Sequence, residues 1–328
     1  MPKAMVIRAY GGPDAMAPEE IQVGAPAAGQ VRIRHTAVGL NFSDVYRRRG
    51  TYKAPLPLIV GSEGAGVVLE AGPGVTDFAV GDRVAYGGPL GGYCEERLVP
   101  AAQLVKVPDG IADEEAAAMM LKGLTVHYLL HWTYAVKPGD AVVIHAAAGG
   151  VGLIFCQWAK HLGATVIGTV GSDEKAAVAR AHGCDHPIVY TRESFADRVM
   201  KITDGAGAHA VYDSVGKDTI LDSIACTRPR GVIASFGSAS GAVAPLDTNL
   251  LTGSKFYCKP SLGDHTATRE MVTLAAGRLF DLVLKKVIRI EVNHRYPLAD
   301  AAAAHRALES RATTGSTVLI PSDRPPGS

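Results

Sequence analysis

The strongest constraint in this chain is a run of seven residues, Ala146 to Gly152 (AAAGGVG), set between an apolar stretch, Ala141 to Ala146, and a segment with helical spacing. Ala147-x-Gly149-x-x-Gly152 is one substitution away from the glycine fingerprint of dinucleotide-binding turns. Gly149 and Gly150 let the main chain approach a pyrophosphate, Gly152 lets the helix pack closely, and the helix N-terminus offers unpaired N–H groups and a positive dipole end. A tight turn in an Ala-rich segment would use the same letters. A strand before, a helix after and a further strand, Thr165 to Val170, at the right distance favour the nucleotide reading. Ala141 to Ala159 carries no formal charge, but His145, Gln157 and the glycine cluster make it strand, turn and helix rather than a membrane span.

The same texture continues. Apolar runs at Thr165 to Val170, Ala208 to Tyr212 and Val232 to Phe236 alternate with helical spacing, including Gln157 to Leu162 and Glu174 to Ala181. Strands and helices at this interval require crossovers and a parallel sheet, the doubly wound pattern. The first 120 or so residues differ: short strands at Gln30 to Ala37, Gly61 to Glu70 and Asp82 to Tyr86 are divided by turn residues, which predicts an irregular β domain. After Lys259-Pro260 the spacing predicts a helix from about Thr266 to Leu284, a strand at Val287 to Val292, a helix from Leu298 to Arg311 and a strand at Thr317 to Ile320. These pieces do not extend the βαβ series and are expected to return to the first domain. Ser322 to Ser328 reads as a frayed end.

Charge and composition narrow the function. Lys and Arg total 33 against 32 Asp and Glu, so no global field draws nucleic acid or an anionic membrane. Arg47-Arg48-Arg49 is the most basic patch, and three arginines without a wider stripe read as a solvated loop. Five cysteines are scattered without a CxxC pair, eleven histidines without HExxH, so no zinc spacing is present. Lys3 and Arg8 leave no room for the apolar core of a signal peptide. A reduced, cytoplasmic protein is expected.

Which nucleotide is bound turns on the end of the strand after the glycine turn, where NAD enzymes place an acid against the ribose 2′-hydroxyl. Here stand Thr169, Val170, Gly171 and Ser172, then Asp173, Glu174 and Lys175. No carboxylate sits at the strand end, and Ser172 and Lys175 can bond and neutralise a 2′-phosphate, so NADPH is favoured.

With Gly61-Ser62-Glu63-Gly64-Ala65-Gly66, the AAAGGVG turn and Tyr212-Asp213-Ser214-Val215-Gly216 in place, the chain resembles the zinc-independent medium-chain dehydrogenase/reductases, above all NADPH:quinone oxidoreductases of the ζ-crystallin type. Leu121-Lys122-Gly123-Leu124-Thr125-Val126 and Glu309-Ser310-Arg311-Ala312-Thr313 are two further stretches carrying the likeness, which runs from Ala4 to Pro321. It implies an α/β protein with a GroES-like β-rich catalytic domain, residues 1–124 with 262–328 returning to it, and a Rossmann cofactor domain, residues 125–261, with NADPH in the cleft between them. Zinc-dependent relatives have His where this chain has Ser62 and a ligand Cys near Asn41 to Asp44, so no metal is expected. The implied activity is reduction of a quinone without metal or flavin. Reduction of an activated C=C bond, as in enone and alkenal reductases of the same fold, is the nearest alternative; a non-catalytic NADPH-binding structural or RNA-binding protein belongs to a different class.

The resemblance also assigns residues. Lys175 and Tyr190, with Gly171 and Ser172, would hold the 2′-phosphate; Arg311 would add a cofactor contact, unless it is only a surface arginine closing a helix. Gly149, Gly150 and Val151 would approach the pyrophosphate. Tyr128, Ser214 and the run Ser235, Phe236, Gly237 and Ser238 would line the ribose and nicotinamide, with Lys259, Pro260 and Ser261 also facing the cofactor. Asn41, Phe42, Ser43, Asp44 and Val45 would meet the nicotinamide from the first domain. Asn41, Tyr46, Tyr52 and Thr125 are the catalytic candidates, Asn41 to orient the reacting groups and the tyrosines as walls or donors. Ordinary packing for the tyrosines, and a backbone bond for Thr125, are the alternatives. Glu63 is assigned a structural role, satisfying backbone or arginine donors. A homodimer is implied, with Lys255 to Cys258 as a strand able to pair across an edge.

Overall fold

In the computed structural model, which describes residues 1–322, the alternating run that begins at Gln30 continues to Leu40 and organises the N-terminal part of the chain. In chain order the first elements are β1 Lys3–Ile7, β2 Met16–Glu20, β3 Gln30–Leu40, α1 Phe42–Arg49, β4 Leu58–Ile59, β5 Glu63–Ala71, β6 Arg83–Gly87, β7 Glu96–Pro100, β8 Val105–Lys106 and α2 Asp113–Tyr128. Then come β9 Ala141–Ile144, α3 Gly150–His161, β10 Thr165–Val170, α4 Asp173–Ala181, β11 His186–Val189, α5 Phe195–Ile202, β12 Ala208–Asp213, α6 Ile220–Ala225, β13 Thr227–Ser235 and β14 Phe256–Cys258. The chain closes with α7 Arg269–Leu284, β15 Val292–Pro297, α8 Ala301–Glu309 and β16 Ser316–Ile320.

Two compact units result. One comprises Met1–Leu124, Thr266–Leu284 and the chain from Ile290 onward; the other comprises Thr125–His265 and Lys285–Arg289. In the first, a seven-stranded sheet runs β15-β16-β3-β5-β6-β8 with β7 also paired to β3, beside a three-stranded sheet β2-β1-β4. The alternation in β3 is real: Val31 and Ile33 point into a core with Val68, Val84, Tyr86, Val99 and Leu104. Farther along β3 both faces are covered, and Val38 and Leu40 join Met5, Ile7, Val60 and Tyr93 in a second core. The returning C-terminal segment completes that core with Leu298, Ala301, Ala304 and Leu319. β16 pairs antiparallel with β3 through Val318↔Gly39.

The second unit is a parallel six-stranded sheet in the order β11-β10-β9-β12-β13-β14. This is the strand order of dinucleotide-binding sheets, in which the order reverses beside the first strand and ligands sit beyond the carboxyl ends there. Val143, Ile167, Ile188, Phe195, Val199 and Val211 fill its core. The uncharged run Ala141 to Ala159 is β9, a turn and most of α3; among the described residues no helix is long and apolar enough to cross a membrane.

Several boundaries differ from the sequence reading. Val287 to Val292 is not a strand: the backbone of Arg289 is bonded by the Gln157 side-chain amide, which accepts from its N–H at 2.9 Å and donates to its carbonyl at 3.1 Å, and the strand begins only at Val292. The helix expected from Thr266 starts at Arg269, where the Thr268 hydroxyl accepts the Met271 N–H at 3.3 Å. Leu298 to Arg311 begins as a short turn, its helix ends at Glu309, and Arg311 takes a left-handed φ of 58°. The short strands β4, β7 and β8 escaped the sequence reading because a few residues carry too little pattern. The C-terminal end read as frayed lies, from residue 323 on, outside the described residues.

Since Leu319 is wholly buried where the last strand seals the second core, Leu319→Ala should cost about 2–5 kcal/mol, read as a lower urea midpoint with an unchanged slope. A midpoint equal to that of the unsubstituted protein would mean that the returning strand does not hold this core.

Candidate functional site

In the first unit the candidate residues cluster where β3 ends and β5 begins. Antiparallel pairing of β3 with β5 sets Val38 opposite Gly64, which brings Glu63 beside the turn at Asn41. The approach needs Gly39, because a Cβ there would fall on the Glu63 carboxylate and the Ala117 carbonyl. Glu63 is wholly buried. It accepts from Asn41 Nδ2 at 2.9 Å and from the Leu121 backbone N–H at 2.8 Å, and pairs with the Lys122 ammonium. Glu63 is thus structural as expected, but its charged partner is a lysine and not an arginine. A buried carboxylate is tolerable only with such a donor set.

Asn41 is extended and caps α1. Its backbone N–H donates to Asp44 Oδ2 at 2.9 Å, and the same carboxyl accepts from Ser62 Oγ at 3.2 Å and from the Tyr93 hydroxyl at 3.1 Å. The Asp44 carboxyl is raised to about 7: burial is the largest cause, the Asn41 N–H bond opposes it, Glu63 adds to the rise, and Tyr93 and Lys122 hold it back. Asp44 and Val45 were assigned to the cofactor by resemblance, yet both side chains are buried inside this unit. Ser43 is different: its hydroxyl oxygen is buried and makes no hydrogen bond. Tyr46 and Tyr52 come together edge to face, centroids 5.2 Å apart, with Phe42 6.2 Å from Tyr46.

The arginine patch is not a solvated loop. It is the last turn of α1, where cations suit the helix dipole, and Arg48 is wholly buried. Arg48 and Arg49 both pair with Glu309, and Arg48 also donates to His305 Nδ1 at 2.9 Å. Tyr93, Lys122, His305 and Glu309 were not singled out as site residues. Lys122 and Glu309 lie within the two further stretches that carried the resemblance, and their partners explain those stretches.

Thr125 begins the second unit and is buried. In this unit α3 starts at Gly150 with Gly149 as N-cap, and no side chain caps it, so its first N–H groups remain available. A Cβ at Gly152 would strike the carbonyl oxygens of Ala146 and Ala147, which is why glycine is required there. Below the turn, His145 bonds Thr169 Oγ1 at 2.8 Å and Ser223 Oγ at 2.9 Å, and Ser223 donates to Asp213 Oδ2 at 2.8 Å. Asp213 also accepts the N–H groups of Val215 and Gly216 at 2.9 and 2.8 Å. Three strand ends, β9, β10 and β12, are thereby tied together.

At the end of β10 the structure gathers Gly171, Ser172, Lys175 and Tyr190. Ser172 caps α4, accepting the Lys175 N–H at 3.4 Å, and the exposed Tyr190 carries its hydroxyl 3.2 Å from where a Cβ on Gly171 would stand. Asp173, the next acid in the chain, is paired with Arg192. Ser214 runs beside the Ser235 to Ser238 segment, with the Ala239 N–H donating to the Ser214 carbonyl at 3.2 Å. Tyr128 is buried with its ring stacked on His265 at 4.4 Å, and the Ser261 hydroxyl is engaged by Asp264 at 2.6 Å. Lys259 and Pro260 follow β14, and Arg311 lies exposed beyond α8 in the first unit.

Known proteins agree with this layout. Residues 27–109 match the alcohol dehydrogenase GroES-like domain, and residues 150–276 match the zinc-binding dehydrogenase model. A quinone oxidoreductase of Pseudomonas aeruginosa is 50% identical, covering 98% of this chain and 100% of the relative. The chain belongs to the quinone oxidoreductases of the medium-chain dehydrogenase/reductase family. A 2-haloacrylate reductase of Burkholderia is 49% identical over 98% of this chain and 99% of its own. The solved Escherichia coli quinone oxidoreductase complexed with NADPH superposes with a TM-score of 0.95, at 44% identity, over 97% of this chain and 100% of that one.

The family's zinc-dependent branch would need His or Cys around Ser62. This medium-chain reductase has Ser62 bonded to Asp44 and Glu63 engaged by Lys122, and among its described residues no three His, Cys, Asp or Glu side chains gather as ligands. The residues present do not fit a zinc centre.

A carboxyl raised by burial is more stable protonated in the fold than in the unfolded chain. Its contribution is therefore full below about pH 4 and is lost as pH rises through about 7. The groups facing Asp44 are Glu63, Lys122 and Tyr93, with His305 and Arg48 behind Tyr93. Urea unfolding across pH 5 to 8 should show the unsubstituted protein losing stability relative to Asp44→Asn; parallel curves would contradict it.

Proposed function

We propose that this protein is an NADPH-dependent reductase of quinones that works without metal or flavin. The observation that carries the reading is the end of β10, where Gly171, Ser172, Lys175 and Tyr190 gather and the next acid, Asp173, is paired with Arg192. A 2′-phosphate suits that set: Ser172 and Tyr190 offer hydroxyl donors, Lys175 a cation, and Gly171 close backbone. The uncapped start of α3, at Gly149, Gly150 and Val151, suits a pyrophosphate. Ser214, the Ser235 to Ser238 run, Lys259 and Arg311 complete the cofactor assignment. Ser43, with its unbonded hydroxyl, and Asn41, held by Glu63, supply polar groups for the nicotinamide.

Bound NADPH would supply a hydride. A quinone needs little further help, because the added electrons enter an aromatic system whose anion is readily protonated. Asn41 orients the reacting groups, Tyr46 and Tyr52 form an aromatic wall whose hydroxyls can donate a proton, and Thr125 adds a donor. The 49% identical 2-haloacrylate reductase supports activated C=C bonds as the second acceptor class. The five cysteines are all thiols, which supports a reducing cytoplasmic setting. We also assign a homodimer: β14 ends its sheet with an unpaired edge and exposes Phe256, 61% accessible.

Two experiments test these assignments. NADPH oxidation with 1,4-benzoquinone should be rapid and NADH should be a poor substitute; Lys175→Ala should raise the KM for NADPH about tenfold or more, a lost charge-assisted bond, with little change for NADH. Activity confined to an alkenal would move the protein to the second acceptor class, and cofactor binding without turnover on any acceptor would make it a non-catalytic binder. Sedimentation should show a dimer that Phe256→Lys converts to monomer; a monomeric unsubstituted protein would remove the dimer assignment.

A further inference from the structure

Behind Asp44 lies a row of buried groups whose hydrogen bonds can run in one direction only. Arg48 is always protonated and has no acceptor, so its Nη1 donates to His305 Nδ1 at 2.9 Å. Nδ1 therefore carries a lone pair. Burial and the neighbouring Arg48 charge push His305 down to about 3, so the imidazole is neutral and its single proton sits on Nε2. That proton is donated to the Tyr93 hydroxyl oxygen at 2.9 Å. Tyr93 is left with one direction for its own proton, toward Asp44 Oδ2 at 3.1 Å. Tyr93, His305 and Arg48 are each wholly buried, so water cannot substitute for any member.

The row ends on the carboxyl that holds the start of α1. Asp44 Oδ2 receives both the Tyr93 hydroxyl and the Asn41 backbone N–H, while Asp44 Oδ1 receives Ser62. Asn41 is thus fixed twice, its backbone by Asp44 and its side-chain amide by Glu63. Phe42, Ser43 and Tyr46 follow on the same helix. The array links the C-terminal α8 to this helix start, although 212 residues separate Tyr93 from His305 in the chain.

We propose that Tyr93 and His305 are positioning residues for the reaction, a one-way hydrogen-bond array from Arg48 that holds Asp44, and through it Asn41, in the orientation the chemistry requires. Neither touches the reacting groups; both act through Asp44. The assignment rests on the reductase reading given above. Cofactor affinity, which that reading places mainly on the second unit, should therefore be spared while turnover falls.

The test is a set of full-length variants, Tyr93→Phe, His305→Leu and His305→Gln, each measured for NADPH affinity by fluorescence, for kcat with 1,4-benzoquinone and for folding by circular dichroism. Glutamine can accept from Arg48 with its carbonyl and donate to Tyr93 with its amide, whereas leucine does neither. Tyr93→Phe and His305→Leu should lower kcat about tenfold or more with NADPH affinity within about twofold, and His305→Gln should restore most of the loss. Unchanged kcat in the folded Tyr93→Phe and His305→Leu variants overturns the proposal. So does a His305→Gln variant as slow as His305→Leu, or activity that merely tracks the folded fraction. If Tyr93→Phe does not fold, the two His305 variants decide. An unsubstituted protein that binds NADPH but turns over no acceptor overturns the reductase reading and this proposal with it, an outcome distinct from active enzyme with indifferent variants.

Discussion

A carboxylate taken wholly out of water must be met by donors, and much of the first unit is arranged to meet Glu63. Its two oxygens receive an amide from the end of β3, a backbone N–H from α2 and the ammonium of Lys122. Removing one partner would leave a desolvated charge, a far larger loss than that of an exposed ion pair. The demand fixes several things together: the register of β3 against β5, the glycine at position 39, and the orientation of the Asn41 amide. Asp44 imposes the same discipline a few residues on, drawing Ser62 and Tyr93 to itself. A family that elsewhere uses this location for metal ligands here fills it with hydrogen-bonded polar side chains.

The second unit reaches order by a different route. Parallel strands have their carboxyl ends on one side, so the loops after β9, β10 and β12 are neighbours by topology. His145, Thr169, Ser223 and Asp213 then lock those loops from below with short hydrogen bonds. Burial keeps His145 below its ordinary value, so it serves as a neutral link rather than a charge. Above them stand the uncapped start of α3 and the polar side chains that follow β10. Rigid support with donors at its rim is what binding a polyanionic nucleotide asks of a scaffold.

Much of this was legible in local patterns. The glycine turn could be read because its strand, turn and helix are contiguous, and the strand end after it because Gly171, Ser172 and Lys175 follow within five residues. Asn41, Tyr46 and Tyr52 were named by resemblance, and the structure brings the two tyrosines together beside the helix that Asn41 caps. Arg48 was misread because a charged triplet taken alone belongs in water; Glu309 and His305, which make its burial tolerable, lie more than 250 residues away. The strand expected at Val287 failed for a related reason, since the alternating letters were genuine but a glutamine amide had claimed the backbone of Arg289. Asp44 and Val45 are buried with Asn41 while Phe42 and Ser43 between them are only half-buried, a distinction no spacing rule makes for the start of a helix.

By itself the sequence determined the two architectures, the place of the glycine turn and the polar character of the strand end beside it, because each depends on residues a few positions apart. Tertiary structure alone decided which charges are buried, which histidine nitrogen carries its proton and which hydroxyl faces Asp44. Those are settled by donors and acceptors from distant parts of the chain, and an isolated segment has neither the partners nor the exclusion of water that give such bonds their strength.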